Sequence, residues 1–345
     1  MFRLTFKGNH YQIGVTRGKF FLENKVTFPL FLDDFQFNHG KESEKILRKY
    51  FPEICQEIKG VCDTIKVDYL QFVSWMLCMG CCMYNLNDNT NNEIRGCSAF
   101  AYVSKGQVIY GRNNDLIPSL KDVSKNEVYL LDNNIFSLTT SSFINGEEGI
   151  NKHGLVVAMT FVLTDLKEIK PGFNSCFIVR YLLEKAKNTK QAYQLLKQLP
   201  VASNCNILLA DKSGDMLVVE CSPQMKKKRI ATQIGNTKVV CCTNCFISDE
   251  MKSYDYARGN DYQAYQRYLT VMNNIDKLNN NKPIETTQRL LKGEYGFMCQ
   301  YDDVADFETV WSSIFDLNSL MMYQSEGDPR VNNYIKDDRL YNLNF

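Results

Sequence analysis

At 345 residues the chain is long enough for one large domain or two ordinary ones, and 44% hydrophobic against 23% charged residues favours a sizeable core over disorder. A formal net charge of +1 leaves no electrostatic footprint for nucleic acid. The longest nearly apolar run, Phe72 to Tyr84, is far short of the roughly 20 residues a membrane-spanning helix needs. The first residues are β-prone; Tyr11 to Leu22 and an aromatic stretch from Phe28 to Phe37 follow. Lys41 to Tyr50, Pro52 to Ile65 and Val67 to Tyr84 read as helices, with Pro52 at a helix start and Ile54, Ile58, Val61 and Ile65 making one apolar face. Asn85 to Asn92 is a polar, turn-rich link with little to bury, where a chain break would be tolerated.

Beyond it the pattern turns to strands. Ser98 to Val103 and Val108 to Tyr110 form a hairpin around Ser104 to Gln107, with Cys97 opening its first strand. Further turns fall at Asn133-Asn134 and Asn145-Gly146, and Val156 to Val162 reads as a buried strand. Cys176 to Lys187 and Thr189 to Leu199 are helical, with Thr189 as N-cap. Strands return at Cys205 to Ala210, Met216 to Cys221, Arg229 to Ile234 and Lys238 to Cys242. Tyr262 to Met272 and Ile284 to Lys292 are helical, and Val310 to Leu317 is a late strand. This order implies helices on both sides of stacked sheets.

The chemistry concentrates at the first hairpin. Folding its second strand back brings Arg112, Asn113, Asn114 and Asp115 near Cys97. A neutral thiol needs a base or a lowered pKa to become a nucleophile. His10, His39 and His153 are the only histidines, and none sits in a cysteine protease signature. A cysteine at a chain N-terminus carries its own base, an α-amine with a pKa of about 7.7 to 8.0. Cys97 would gain that amine if the Gly96/Cys97 bond were cut, and glycine before the nucleophile lets the backbone strain towards such a cleavage. An arginine beside a thiol favours thiolate, and a carboxylate can orient a protonated amine. The alternatives are a buried packing thiol for Cys97 and a tight turn with an internal ion pair for Arg112 and Asp115.

The pattern Gly-Cys-Ser, short hairpin, Gly-Arg-Asn-x-Asp resembles the N-terminal-nucleophile (Ntn) hydrolases of the penicillin acyltransferase-like family, related to bile salt hydrolases and acid ceramidase-like amidases. Other stretches match in order: Tyr11 to Gly14 with Gly18, Pro52 to Gly60, Gly149 to Leu155, Asn206 to Glu220, and Thr243-Asn244. The resemblance spans nearly the whole chain and implies an α+β fold, the αββα four-layer sandwich. It also implies self-cleavage into residues 1–96, a mainly helical pro-segment, and 97–345, the catalytic piece, which together form one domain. The site residues it implies are Cys97 as nucleophile, Arg112 and Asp115 beside it, Asn244 as oxyanion donor, and Arg267. A second donor from the Thr160-Phe161 region is carried over from relatives. Cys245 stands where the family commonly has histidine, and tyrosines flank Arg267 where it has serine. Asn113 and Asn114 are read as turn residues, Asn151 and Asn206 as residues that hold turns and sheet together.

The expected reaction is cleavage of linear amide bonds of an N-acylated small molecule through a Cys97 thioester. Relatives act on N-acyl amino acids, bile salts, fatty acid amides and β-lactam precursors. Acyl-CoA-dependent N-acyl transfer is the alternative within the family, and an uncleaved binding protein of the same fold the alternative outside catalysis. No cofactor or metal is expected, and the partners are the substrate, the chain's own N-terminal fragment and a possible second copy. Cys78, Cys81 and Cys82 with Cys242 and Cys245 invite a zinc reading, set below buried packing thiols because the pairs are far apart in sequence. Lys226 to Arg229 reads as a solvated hairpin end or a targeting patch. The thirteen cysteines and the absence of an apolar leader pattern after Met1 point to a reducing, cytoplasmic setting.

Overall fold

The computed structural model describes residues 1–83, 96–141, 143–257, 263–278, 280–301 and 307–344. The asparagine-rich link at 85–92 and Arg95 lie outside the described residues. Strand β1 (Phe2–Lys7) leads into helices α1 (His10–Glu23), α2 (Asp34–Tyr50), α3 (Pro52–Ile65) and α4 (Tyr69–Cys78). Strands β2 (Gly96–Ser104) to β7 follow: β3 (Gln107–Leu116), β4 (Lys125–Leu131), β5 (Asn134–Thr140), β6 (Glu148–Asn151) and β7 (Leu155–Phe161). After α5 (Ser175–Lys185) and α6 (Thr189–Gln198) come β8 (Cys205–Asp211), β9 (Met216–Cys221), β10 (Lys226–Ile230), β11 (Thr232–Ile234) and β12 (Thr237–Cys242). The chain closes with α7 (Ala264–Met272), α8 (Ile275–Leu278), α9 (Pro283–Leu291), β13 (Glu308–Asp316), β14 (Met321–Glu326), β15 (Ile335–Asp337) and α10 (Arg339–Asn344).

These strands form two sheets, ordered β1-β4-β5-β6-β7-β8-β9-β10 and β11-β12-β2-β3-β13-β14-β15. All neighbours are antiparallel except β1 beside β4. Alternation sorts each strand's side chains between two packed faces. Ala99, Ala101 and Tyr110 of one sheet meet Val156, Ala158 and Leu208 of the other in the inter-sheet core. The outer face of the first sheet is covered by α1 to α6, through Ile58, Phe72, Phe177 and Leu196 against Tyr129, Val157 and Leu209. The outer face of the second is covered by α7, α8 and α9, through Val271, Leu278 and Leu290 against Phe100 and Ile314. The result is the αββα sandwich.

Two matches in the N-terminal segment have a packing cause. A Cβ on Gly14 would lie 2.0 Å from the Glu57 carbonyl oxygen, and one on Gly60 would lie 2.3 Å from that of Tyr11, so α1 and α3 meet backbone to backbone. α2 starts earlier than its periodicity suggests because Asp33 and Gln36 close a capping box. α6 is capped by Asn188, whose Oδ1 accepts from Gln191 N at 3.0 Å, rather than by Thr189. Thr189 instead gives its backbone N–H to Asp211 at 2.8 Å. The stretch Arg229 to Ile234, expected as one strand, is divided at Ala231: β10 pairs with β9 in one sheet and β11 with β12 in the other. Lys226 to Arg229 therefore forms an edge strand, with Lys226 Nζ donating to the Leu199 carbonyl.

Candidate active site

Lys105 and Gly106, both at positive φ (50° and 81°), make the tight turn that sets the β2–β3 register. Cys97 then lies opposite Asn114, Gly96 opposite Asp115 and Ala99 opposite Arg112. On the other side of β2, β12 pairs Cys242 with Ala99, so the chain leaving β12 carries Asn244 up to Cys97. Asn206 holds that turn, donating to the carbonyls of Thr243 at 2.9 Å and Cys245 at 3.1 Å. Helix α7 brings Arg267 down from the outer layer. Cys97, Arg112, Asp115, Asn244 and Arg267 are all buried together.

Both ends of Cys97 are held by side chains. Its backbone N–H donates to Asn244 Oδ1 at 2.6 Å. Its thiol donates to Asn114 Oδ1 at 3.2 Å and receives Arg112 Nη2 at 3.1 Å. Arg112 also donates Nε to Asn114 Oδ1 at 3.1 Å and Nη1 to the Met159 carbonyl. Arg267 reaches the Cys97 carbonyl and Ser98 Oγ with Nη1, and Asn244 Oδ1 at 2.9 Å with Nη2. Asp115 accepts from Tyr301 Oη at 2.8 Å and Thr309 Oγ1 at 2.6 Å, with Arg267 Nη1 3.8 Å away. Gly96 is required by close approach: a Cβ there would lie 2.6 Å from the Phe307 ring and 3.1 Å from Asp115 Cβ.

Burial pushes the Cys97 thiol above its usual pKa, and Arg112 pulls it back down. Burial also raises the Asp115 carboxyl, against the opposing charge of Arg267 and the bonds from Thr309 and Tyr301. In the intact chain the thiol therefore keeps its proton, directed at Asn114, with a guanidinium already in place for the thiolate.

Asn244 presents its carbonyl, not its amide nitrogen, to Cys97. Two donors, Cys97 N and Arg267 Nη2, fix that orientation, and Nδ2 donates to the Phe161 carbonyl at 2.8 Å, leaving one N–H unspent. Thr160 Oγ1 is committed to the Thr243 carbonyl at 2.6 Å. Asn113 and Asn114, read as turn residues, lie inside β3 and are fully buried. Asn113 ties the end of α9 to β13 through Leu291 and Ser312. Asn114 Nδ2 is buried without a hydrogen-bond partner, beside the thiol that its own Oδ1 receives. Alternation along the strand, counted from Arg112, would have put Asn114 and Arg112 on one face. Tyr301 and Thr309 carry no local signal at all. Asn151 bridges the Leu183 and Ala186 carbonyls to the backbone of its own turn. The two cysteine groups are not brought together: Cys78, Cys81 and Cys82 pack with Ile169 and Ala202, while Cys242 and Cys245 lie at the end of β12.

Among the described residues no helix is long and apolar enough to cross a membrane. No curated protein matches the chain in sequence. In fold it is similar to penicillin V acylase from Agrobacterium tumefaciens, with a TM-score of 0.50 and 15% identity over 67% of this chain and 83% of that one. It is similar also to a variant of conjugated bile acid hydrolase from Clostridium perfringens, with a TM-score of 0.51 and 14% identity over 72% of this chain and 94% of that one. The model of the acyl-coenzyme A:6-aminopenicillanic acid acyl-transferase family matches residues 103–331, a span that holds Arg112, Asp115, Asn244 and Arg267 and starts just after Cys97. With this match over well more than half of its length, and with the two-sheet fold it shares with those structures, the chain belongs to the acyl-coenzyme A:6-aminopenicillanic acid acyl-transferase family.

Proposed function

We propose that the chain is a self-processing cysteine amidase, which cuts its Gly96–Cys97 bond and then cleaves linear amides of an N-acylated small molecule through a thioester on Cys97. The observation that carries this reading is the double hold on one residue: Asn244 Oδ1 at 2.6 Å from Cys97 N and Arg112 Nη2 at 3.1 Å from Cys97 Sγ. A packing cysteine needs neither contact. A residue whose nitrogen becomes the base and whose sulfur is the nucleophile needs both.

In the first step the sulfur attacks the Gly96 carbonyl, the S–H proton passes to the Cys97 nitrogen, and the C–N bond breaks so that this nitrogen leaves as an amine. Water hydrolyses the resulting thioester, giving the Gly96 carboxylate and a Cys97 with free thiol and α-amine, and so the pieces 1–96 and 97–345. In turnover the amine takes the thiol proton and the thiolate attacks the substrate carbonyl. Asn114 Nδ2 and the unspent N–H of Asn244 donate to the oxyanion, an interaction typically worth about 2.7 to 4 kcal/mol per donor. The C–N bond breaks as the ammonium protonates the departing amine, and water, activated by the regenerated amine, hydrolyses the acyl-enzyme. Arg112 stabilises the thiolate, Asp115 supports the charged amine, and Arg267 holds Asn244 and the Cys97 carbonyl. The fold neighbours, a penicillin V acylase and a conjugated bile acid hydrolase, support an amide substrate. Membership of the acyl-coenzyme A:6-aminopenicillanic acid acyl-transferase family supports acyl transfer from a coenzyme A thioester as the alternative.

A second reading, a family member that stays uncut and only binds, is favoured by the burial of Cys97, which is 3% exposed. Intact mass measurement on the denatured chain, beside Cys97→Ala, separates the two. Two fragments, one beginning at Cys97, with an uncut control, are expected. A single full-length mass in both would overturn the proposal and leave the binding reading.

A further inference from the structure

Away from Cys97, one histidine and two adjacent cysteines converge on a buried point. His39 lies in α2, and Cys81 and Cys82 follow the end of α4; a ring nitrogen of His39 and the two sulfurs all lie within 4.8 Å of one another. It is the one group of three or more metal-capable His, Cys, Asp or Glu side chains among the described residues. His39 is 6% exposed, Cys81 1% and Cys82 fully buried. Cys81 Sγ stands 3.6 Å from His39 Nε2. Zn–S bonds of about 2.3 Å and Zn–N bonds of about 2.0 to 2.1 Å at a tetrahedral angle give a sulfur-to-nitrogen edge of about 3.6 Å.

The surroundings fix this geometry from both sides. The backbone N–H groups of Cys81, Cys82 and Met83 all turn back onto the Cys78 carbonyl, at 3.0, 3.0 and 3.1 Å, with Gly80 at φ 65° making the bend. Gln36, one turn before His39, donates to the Cys82 carbonyl at 3.1 Å and accepts the Cys78 thiol on its own carbonyl at 3.3 Å. Phe35 stacks on the imidazole with centroids 6.3 Å apart, and Ser43 Oγ lies 3.4 Å from Nε2. The wall is apolar, formed by Leu32, Ile169 and Ala202. Two thiolates and a neutral imidazole would balance a divalent cation there with no carboxylate, and soft sulfur donors select zinc-like ions over magnesium or calcium.

We propose that His39, Cys81 and Cys82 bind a Zn2+ ion that clamps the end of α4 to α2, immediately ahead of the stretch leading to Cys97. Binding exchanges the two S–H protons for two Zn–S bonds and releases two protons, with no change of oxidation state. Three protein ligands leave the fourth tetrahedral position to water. The site owes nothing to the cysteine at position 97, and it stands whether or not the chain cuts itself.

The test is metal analysis of the full chain, purified without chelator from zinc-supplemented cells, as wild type, Cys97→Ala and Cys81→Ser/Cys82→Ser. One zinc per chain is expected in the first two. The double variant should bind more weakly by a factor beyond the roughly 10- to 100-fold that loss of a supporting partner costs. Zinc retained in the double variant, or none in the wild type after reconstitution with ZnCl2, overturns the proposal. So does a Cys81–Cys82 disulfide in the zinc-free wild type, located by peptide mapping under non-reducing conditions. Should the double variant misfold by circular dichroism, cobalt substitution of the wild type decides. Intense tetrahedral d–d bands with thiolate-to-cobalt absorption support the site, and an octahedral spectrum ends it.

Discussion

At the residue level the site sorts into what lies next to Cys97 in the chain and what lies next to it in space. Arg112 and Asp115 were legible because a two-residue turn fixes the register of one hairpin, so a local reading suffices. Asn244 and Arg267 touch Cys97 across 147 and 170 residues; no periodicity encodes that, and they were reached through resemblance alone. Asn114 was legible in principle and misread, because Asn-Asn is a turn signal unless the strand is known to run on through it. Its uncommitted Nδ2 makes a sharp prediction: Asn114→Ala should lower kcat roughly 100- to 1000-fold, the usual effect of removing an oxyanion donor, with KM little changed. Steady-state kinetics on a processed sample checks it, and a KM effect with intact kcat would assign Asn114 to substrate binding. For Arg112 the sign comes from the electrostatics. Burial raises the Cys97 thiol pKa and the guanidinium opposes that rise, so Arg112→Gln should raise it further. The rising limb of kcat/KM against pH should then move to higher pH. An unmoved limb would reduce Arg112 to a structural role.

At the scale of elements, the helices read best where amphipathic spacing and a start signal agree, as in α3, which runs from Pro52 to Ile65 as its pattern predicts. They read worst where a contact with another element is the cause. α1 carries Arg17, whose guanidinium is wholly buried and paired with Glu127 of β4 at 2.7 and 2.8 Å. Glu57 of α3 accepts Arg180 of α5 at 2.6 Å and lies 3.7 Å from Arg17. Nothing in the sequence announces this network, because its members come from four elements and each looks like a surface charge on its own helix or strand. Removing one partner of a buried charge network leaves the others uncompensated, which costs about 3 to 5 kcal/mol. Glu57→Ala should therefore destabilise the fold by about that amount in urea unfolding. A loss below about 1 kcal/mol, the range of exposed pairs, would mean that water replaces the carboxylate.

For the whole molecule, the same network decides what becomes of the N-terminal piece if Gly96–Cys97 is cut. Residues before the cut supply β1 at the edge of the first sheet and four helices over its outer face, and Ile13, Ile58, Phe72 and Trp75 share one core with Phe177, Leu182 and Leu209 from beyond it. A hydrophobic interface of this kind is a domain core divided by a break, not a docking surface, so the pieces should co-elute under native conditions and separate only in denaturant. Acid should weaken the joint in a defined window. Burial acts to raise the Glu127 carboxyl, but Arg17 overrides it and the net shift is downward from 4.5; Glu184, held by Arg180 and His10, is shifted the same way. A depressed native pKa contributes stability that is fully present above the unfolded value and is lost as pH falls through the native one. The joint between Arg17 and Glu127 should thus hold from neutral pH down to about 4.5 and weaken progressively below it. Size-exclusion chromatography of the processed protein over a descending pH series reads this directly. Fragments that separate at neutral pH without denaturant would show that the shared core does not hold the halves together, and an unchanged complex at pH 2 would show that apolar burial holds them without help from the buried charges.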